Sequence, residues 1–186
     1  MEITRTFYAT DRDDWRAWLA ANHRTEKEIW LVYPKKHSGK PRIPYNDAVE
    51  EALCFGWIDS TQKTLDEDHT AQRYSPRRPG IPYSQPNQER LRRMIAQGKV
   101  LPEVRESIGD LLERPFAMPP DILQALQADE QAWSHLRRWS ESYLRIRVAF
   151  VDAARDDPAE FQKRLANLIG KSSQGKQYGF GVESYY

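Results

Sequence analysis

Hydrophobic and polar positions recur with two different periodicities along this chain, and the change from one to the other divides the sequence near residue 100. Before it, short apolar runs rich in β-branched and aromatic residues predict strands, the clearest at residues 29–33, which ends at Pro34 and has the continuous apolar character of a strand covered on both faces. Further strands are predicted at residues 5–10, 57–64 and 72–77. The last two flank the acidic segment 65–69, which predicts an antiparallel hairpin.

Helices are predicted between these strands by their start signals. Asp11 is a suitable N-cap for a helix that turns Trp15 and Leu19 inward. Asp47, followed three residues later by Glu50, resembles a capping box that opens a second helix. A third helix is expected before Gly98.

Beyond residue 100 the apolar positions recur at helical spacing, as in Val104, Ile108 and Leu112. Strands first and helices afterwards indicate an α+β fold. We therefore expect an antiparallel or mixed sheet with packed helices in residues 1–100 and a helical region in residues 101–170 packed on it. Residues 171–186 have no period and are expected to form a mobile tail.

Composition limits the possible partners. The 186 residues carry 28 Lys and Arg against 27 Asp and Glu, a formal charge of +1. Such a balance gives no overall field toward nucleic acid or anionic lipid, so we expect no nucleic-acid partner and only a local anion site. No apolar run approaches the roughly 20 residues that span a bilayer, and no signal segment is recognised, so we expect no membrane insertion.

The single cysteine and the four histidines predict no cofactor chemistry. Cys54 has no partner for an internal disulfide, which suits a reducing, cytoplasmic location. Its place near a helix end, where the dipole disfavours a thiolate, predicts a buried structural thiol. The histidines are scattered, without the spacing of metal ligands. We expect no metal and no cofactor, and we assign no catalytic residue.

The predicted hairpin carries the chemistry that most favours a site. Alternation places Trp57 and Asp59 on one face of the first strand. Arg73 and Arg77 share one face of the second strand, and Tyr74 lies on the other. An ion pair from Asp59 to one of these arginines is therefore predicted, either as a structural anchor or as part of a site.

The arginines also suggest an anion site, because guanidinium groups bind phosphate and carboxylate bidentately. Ser84 and Asn87 could contribute to it or serve as helix caps, and a solvated basic face is the competing interpretation. The candidate ligand-binding residues are Trp57, Asp59, Arg73, Tyr74, Arg77, Ser84, Asn87 and Arg90.

Several ordered blocks between residues 5 and 170 resemble the YdeI or OmpD-associated family, also called bacteriocin-protection proteins. They are residues 28–33 with Lys35 and Lys36, residues 39–41 with residues 43–45, residues 47–60 and residues 72–77, continued by Ser84, Asn87 and Arg90. Residues 119–121 with residues 142–143 resemble its helical C-terminal half. Tyr83 departs from the tryptophan expected at its position. The resemblance implies a protection phenotype and supplies no catalytic residues.

The sequence thus favours a cytosolic bacterial stress-tolerance protein that is not an enzyme and binds a small anionic ligand or a protein partner, as a monomer or homodimer. The alternative is an enzyme acting on a small anionic metabolite, in which Asp59 transfers a proton while Arg73 and Arg77 hold the anion.

Overall fold

The computed structural model describes residues 2–179. The chain divides into two compact units, Met1–Leu112 and Glu113–Tyr186. The strands lie in the first unit and the second is helical, which confirms the predicted α+β class.

The first unit contains a four-stranded sheet and four α-helices within the described residues. Its elements are β1 (Thr6–Tyr8), α1 (Arg12–Asn22), β2 (Ile29–Pro34), α2 (Tyr45–Cys54), β3 (Trp57–Thr64), β4 (His69–Pro76), α3 (Gln85–Ala96) and α4 (Pro102–Ile108). The strand order is β1-β2-β4-β3. β1 runs parallel to β2 and the other neighbours are antiparallel, so the sheet is mixed.

The predicted hairpin is present, but β4 begins at His69 rather than at residue 72. The turn is shorter than expected because the Asp66 carboxylate accepts hydrogen bonds from the backbone nitrogens of Asp68 and His69, at 2.8 Å each. The register shifts between Asp59 and Gln62, which marks a β-bulge in β3.

The core of the first unit lies between one face of the sheet and the helices. The Trp15 ring is centred 5.2 Å from that of Tyr74 and 5.3 Å from that of Trp18. Trp15 and Leu19 are fully buried, and the Asp11 side chain caps α1, both as predicted. These contacts fix the hairpin relative to α1.

The predicted capping box at Asp47 and Glu50 is wrong. Helix α2 begins at Tyr45, after Pro44, so Asp47 already lies in the first turn. The carboxylates of Asp47 and Glu50 instead form ion pairs with Arg12 of α1. A tertiary ion pair has displaced the local capping interaction that the spacing suggested.

The second unit is built from α5 (Pro120–Gln127), α6 (Glu130–Leu136), α7 (Glu141–Asp152) and α8 (Pro158–Ser173). Its core includes Ile122, Leu136, Val148 and Leu168. Helix α8 extends to Ser173, and the Tyr178 backbone nitrogen donates to the Tyr143 hydroxyl at 3.1 Å. The predicted mobile tail falls partly on residues 180–186, which lie outside the described residues.

None of the helices in residues 2–179 combines the length and the apolar character needed to cross a membrane.

Candidate functional site

Two pockets open on opposite faces of the β3–β4 hairpin. Ile58, Arg73 and Ser75 line the larger, of about 930 Å³. Asp59 and Gln72 line the smaller, of about 500 Å³. Successive residues of a strand face opposite sides, so these two sets of side chains separate. Ser60, where the register of β3 shifts, lines both pockets.

The larger pocket, here named the basic pocket, is bounded by the hairpin, the loop after α1 and the segment that leads into α3. Its charged lining residues are Arg24, Glu26, Lys27, Arg73, Arg77 and Arg78. Arg24 pairs with Glu103 at 2.8 Å, and Glu26 pairs with Arg5 at 2.6 Å. Basic groups therefore dominate the pocket.

Arg73 is anchored within this pocket. Its Nη2 lies 2.6 Å from the Glu28 carboxylate, and its Nη1 donates to the hydroxyls of Ser60 and Ser75 at 3.4 Å each. Hydrogen bonds from Thr4 and then from Arg73 lower the pKa of Glu28. The Arg73 charge is thus largely matched by an ionised carboxylate.

Arg77 is held differently. Its guanidinium carbon lies 3.5 Å from the centroid of the Tyr83 ring, and its Nη2 donates to the backbone oxygen of Ile81. Among residues 2–179, none supplies a carboxylate to Arg77, Arg78 or Lys27. Three cations of the pocket therefore have no ion-pair partner within the described chain.

Ser84 and Asn87 also line the basic pocket, whereas Arg90 does not. Ser84 occupies the N-cap position of α3, but its hydroxyl makes no capping hydrogen bond. Asn87 lies inside the helix rather than at its cap, and its side-chain oxygen accepts from Arg90 at 2.7 Å. Arg90 is buried and donates from Nε to Asn46 at 2.9 Å, so it braces α3 against α2.

The predicted ion pair between Asp59 and Arg73 or Arg77 is wrong. Asp59 lies opposite Tyr74 in the register and therefore shares the face of Tyr74 and Gln72. Its Oδ2 accepts from the Tyr45 hydroxyl at 2.7 Å and from Gln72 at 3.3 Å. Since the arginines line the other pocket, the enzyme constellation that joined them to Asp59 is not assembled.

The smaller pocket, here named the Tyr45–Asp59 pocket, is lined by hydroxyl, amide and charged groups. Its lining residues are Tyr33, Arg42, Pro44, Tyr45, Asp59, Ser60, Gln62 and Gln72. Burial raises the pKa of Tyr33, and burial followed by the hydrogen bond to Asp59 raises that of Tyr45. Both hydroxyls therefore stay protonated at neutral pH and can donate hydrogen bonds.

Trp57 and Tyr74 lie beneath the surface and line neither of these two pockets. Trp57 is almost completely buried, and its indole nitrogen donates to the backbone oxygen of His23 at 3.1 Å. The Tyr74 hydroxyl lies 3.2 Å from that of Tyr33. These two candidates support the pockets from the core.

The prediction that Cys54 is a buried structural thiol is confirmed. Cys54 ends α2 and is fully buried, and burial raises the pKa of its thiol to about 12. Within residues 2–179 there is no group of three or more His, Cys, Asp or Glu side chains that could hold a metal ion.

The sequence did not single out Arg24, Lys27, Arg42 or Tyr45, although each lines one of the two pockets. They lie on loops or at a helix start, outside the hairpin, and none belongs to a recognised catalytic or ligand-binding motif. The available signals were a surplus of basic residues at residues 24–27 and 35–42 and, for Tyr45, its place in a block that resembles the family.

Two family models match the chain, one in each unit. The model described as "Domain of unknown function (DUF8412)" matches residues 7–107, which is more than half of the chain, so the protein belongs to that family. The model described as "Bacteriocin-protection, YdeI or OmpD-Associated" matches residues 115–175 and confirms the suspected resemblance there. No curated protein and no solved structure matches the chain.

Proposed function

We propose that this protein binds a small anion of the phosphate or carboxylate class in the basic pocket. The observation that carries this proposal is the Arg77 guanidinium, which is held on Tyr83 and has no carboxylate partner among the described residues. An arginine with its charge unmatched and its orientation fixed is suited to bidentate anion binding.

The remaining donors of Arg77 support this assignment. A guanidinium has five N–H donors, and the backbone oxygen of Ile81 is the one hydrogen-bond acceptor that Arg77 contacts within residues 2–179. The Tyr83 ring restricts the guanidinium orientation, so little conformational freedom is lost when an anion binds. Arg78 and Lys27 add two further positive charges at the same pocket.

The start of α3 adds neutral donors to the basic pocket. Ser84 is exposed, and its hydroxyl is free of a capping bond. The N-terminus of a helix also carries a partial positive charge that favours anions. The arginines and the helix end thus favour a negatively charged ligand, and the Ser84 hydroxyl can donate a hydrogen bond to it.

A pocket of about 930 Å³ is suited to a small molecule rather than to a long polymer. The whole chain has a net charge of only +1, so the positive potential is local to this pocket. We therefore propose a metabolite-sized anion and not nucleic acid.

We further propose that anion capture contributes to tolerance of a toxic stress in the cell. The support is the description of the family model that matches residues 115–175, which concerns bacteriocin protection. Cells that lack the gene should regain tolerance to a bacteriocin when they express the wild-type protein but not the Arg77→Gln variant at equal abundance. Equal rescue by both proteins would separate the phenotype from the pocket.

The binding proposal is tested by thermal shift with phosphate, pyrophosphate and citrate, each compared with sodium chloride at equal ionic strength. A ligand that binds only the folded state stabilises it by about 2.7 kcal/mol when the free ligand concentration is 100 times the Kd. This stabilisation raises the melting temperature. Arg77→Gln should abolish the shift. Arg105→Gln is the matched control, because Arg105 is exposed on α4 and does not line the basic pocket. No shift with any of the three anions, or an equal shift in both variants, would refute the proposal.

A further inference from the structure

The Tyr45–Asp59 pocket contains two opposite charges that are not joined to each other. Asp59 and Arg42 both line it, yet no nitrogen of Arg42 lies within 4.0 Å of an Asp59 carboxylate oxygen. Charged groups in one pocket that do not neutralise each other are available to a ligand carrying both complementary charges.

The Asp59 carboxylate has a free side. Its Oδ2 accepts hydrogen bonds from Tyr45 at 2.7 Å and from Gln72 at 3.3 Å, which fixes the orientation of the group. Its Oδ1 accepts none from residues 2–179. A carboxylate offers about four acceptor positions, so a further strong donor can bind there.

The Arg42 guanidinium also has hydrogen-bond donors that are available to a ligand. Its Nη1 donates to the backbone oxygen of Pro34 at 2.9 Å, which ties the guanidinium to the end of β2. The other guanidinium donors make no hydrogen bond with the described residues. They form a fork suited to a carboxylate.

The Tyr33 hydroxyl is within electrostatic range of both charges. Burial is the main cause of its raised pKa, to which Asp59 adds and which Arg42 opposes. Asp59 and Arg42 line the same pocket as Tyr33 and Tyr45, so a ligand in that pocket can reach both charges.

We propose that the Tyr45–Asp59 pocket binds a small zwitterion of the amino-acid class, with its ammonium group on Asp59 and its carboxylate on Arg42. A simple cation would leave Arg42 unused, and a simple anion would meet the Asp59 charge. A neutral polyol would use neither charge fully. The pocket volume of about 500 Å³ is sufficient for such a ligand.

The first experiment varies the ligand and leaves the protein intact. The twenty free amino acids are titrated into the wild-type protein by isothermal titration calorimetry at neutral pH, and each binder is compared with its N-acetyl and its C-terminal amide derivatives. Removing either charge should weaken binding by about 10- to 100-fold, as expected for a lost hydrogen-bonded charge contact. If no amino acid binds with millimolar or better affinity, or if both derivatives bind as well as the parent, the proposal is wrong.

The second experiment varies the pocket. Asp59→Asn and Arg42→Gln should each weaken binding of the best amino acid by at least about 10-fold, with Asp59→Asn losing the discrimination against the N-acetyl derivative. Arg105→Gln, at an exposed position of α4 that lines neither pocket, should leave it unchanged. Melting temperatures identify any variant that is unfolded, and the ligand derivatives test the same contacts in the wild-type fold. Unchanged affinity in both folded pocket variants would overturn the assignment.

Discussion

The guanidinium carbon of Arg77 lies 3.5 Å from the centroid of the Tyr83 ring. This contact holds an arginine without a described carboxylate partner at the basic pocket, next to the start of α3. Tyr83 stands where the family resemblance suggested tryptophan, and an aromatic ring is retained. The contact with the ring restricts the orientation of the cation.

Replacing this ring should weaken anion binding without removing any charge. In Tyr83→Leu we expect the Kd for pyrophosphate to rise about two- to fivefold, in line with a cation–π contact of about 0.5 to 1 kcal/mol. Tyr83→Phe keeps the ring face and should bind as the wild type does. Calorimetric titration of both variants measures the difference, and equal loss in the two would assign the effect to the hydroxyl instead.

The Glu28–Arg73 pair should contribute acid-sensitive stability. Because the pKa of Glu28 is lowered in the folded protein, its contribution is fully present above its ordinary value of about 4.5 and is lost as the pH falls through the lower folded value. Glu28→Gln should reduce the free energy of unfolding at pH 7 by about 0.2 to 1 kcal/mol, the range of partly exposed pairs.

Urea denaturation at pH 7 and pH 3 checks the Glu28 prediction. The difference between wild type and Glu28→Gln should shrink at the lower pH. Glu106→Gln, on an exposed position of α4, is the control for the loss of a surface carboxylate. A difference that grows toward acid would contradict the assignment.

The sequence predicted the fold class and the hairpin because periodicity and turn chemistry are local. The predictions failed where two separate segments of the chain meet in the fold. Asp59 and Arg73 lie on sequential strands, so pairing them was reasonable, but the register placed Asp59 opposite Tyr74 and on the other face. Glu28, the real partner of Arg73, comes from the segment before β2, and no local pattern joins them.

The separation of residues along the chain also explains which site residues could be predicted and which were missed. Arg73, Arg77, Ser84 and Asn87 were found because they lie close together along the chain, and they do line one pocket. Arg42 and Tyr45 reach the opposite face of the hairpin from the loop before α2 and the start of that helix. Their contribution depends on how α2 packs against the sheet, which hydrophobic patterning does not specify in advance.

Cys54 should react slowly in the native protein. Burial raises the pKa of its thiol from about 9 to about 12, so the thiolate fraction at pH 8 falls about a thousandfold. The rate of modification by a thiol reagent should therefore rise by orders of magnitude in urea, where the thiol becomes exposed to water.

The stability that the neutral Cys54 thiol contributes is present below about pH 9 and is lost as the pH rises toward 12. Rapid modification under native conditions would show that Cys54 is accessible.

The buried Glu51 should be important for stability. Its carboxylate is fully buried, lies 2.6 Å from Arg16 and is 3.4 Å from Arg12. In Glu51→Gln we expect a loss of about 3 kcal/mol, the lower end for a broken buried pair, because both arginines keep some contact with water. Urea denaturation measures it. Glu103→Gln breaks an exposed pair with Arg24 and should cause no measurable loss, whereas equal effects of the two substitutions would contradict the role assigned to burial.

The most direct test of anion binding is a crystal structure of the wild-type protein, grown without sulfate or phosphate and then soaked in pyrophosphate. Density for the anion is expected in the basic pocket, with phosphoryl oxygens about 3 Å from the Arg77 guanidinium and from the Ser84 hydroxyl. The same soak of Arg77→Gln crystals should leave the pocket free of pyrophosphate. Pyrophosphate bound elsewhere, or bound equally in the variant, would contradict the proposed function.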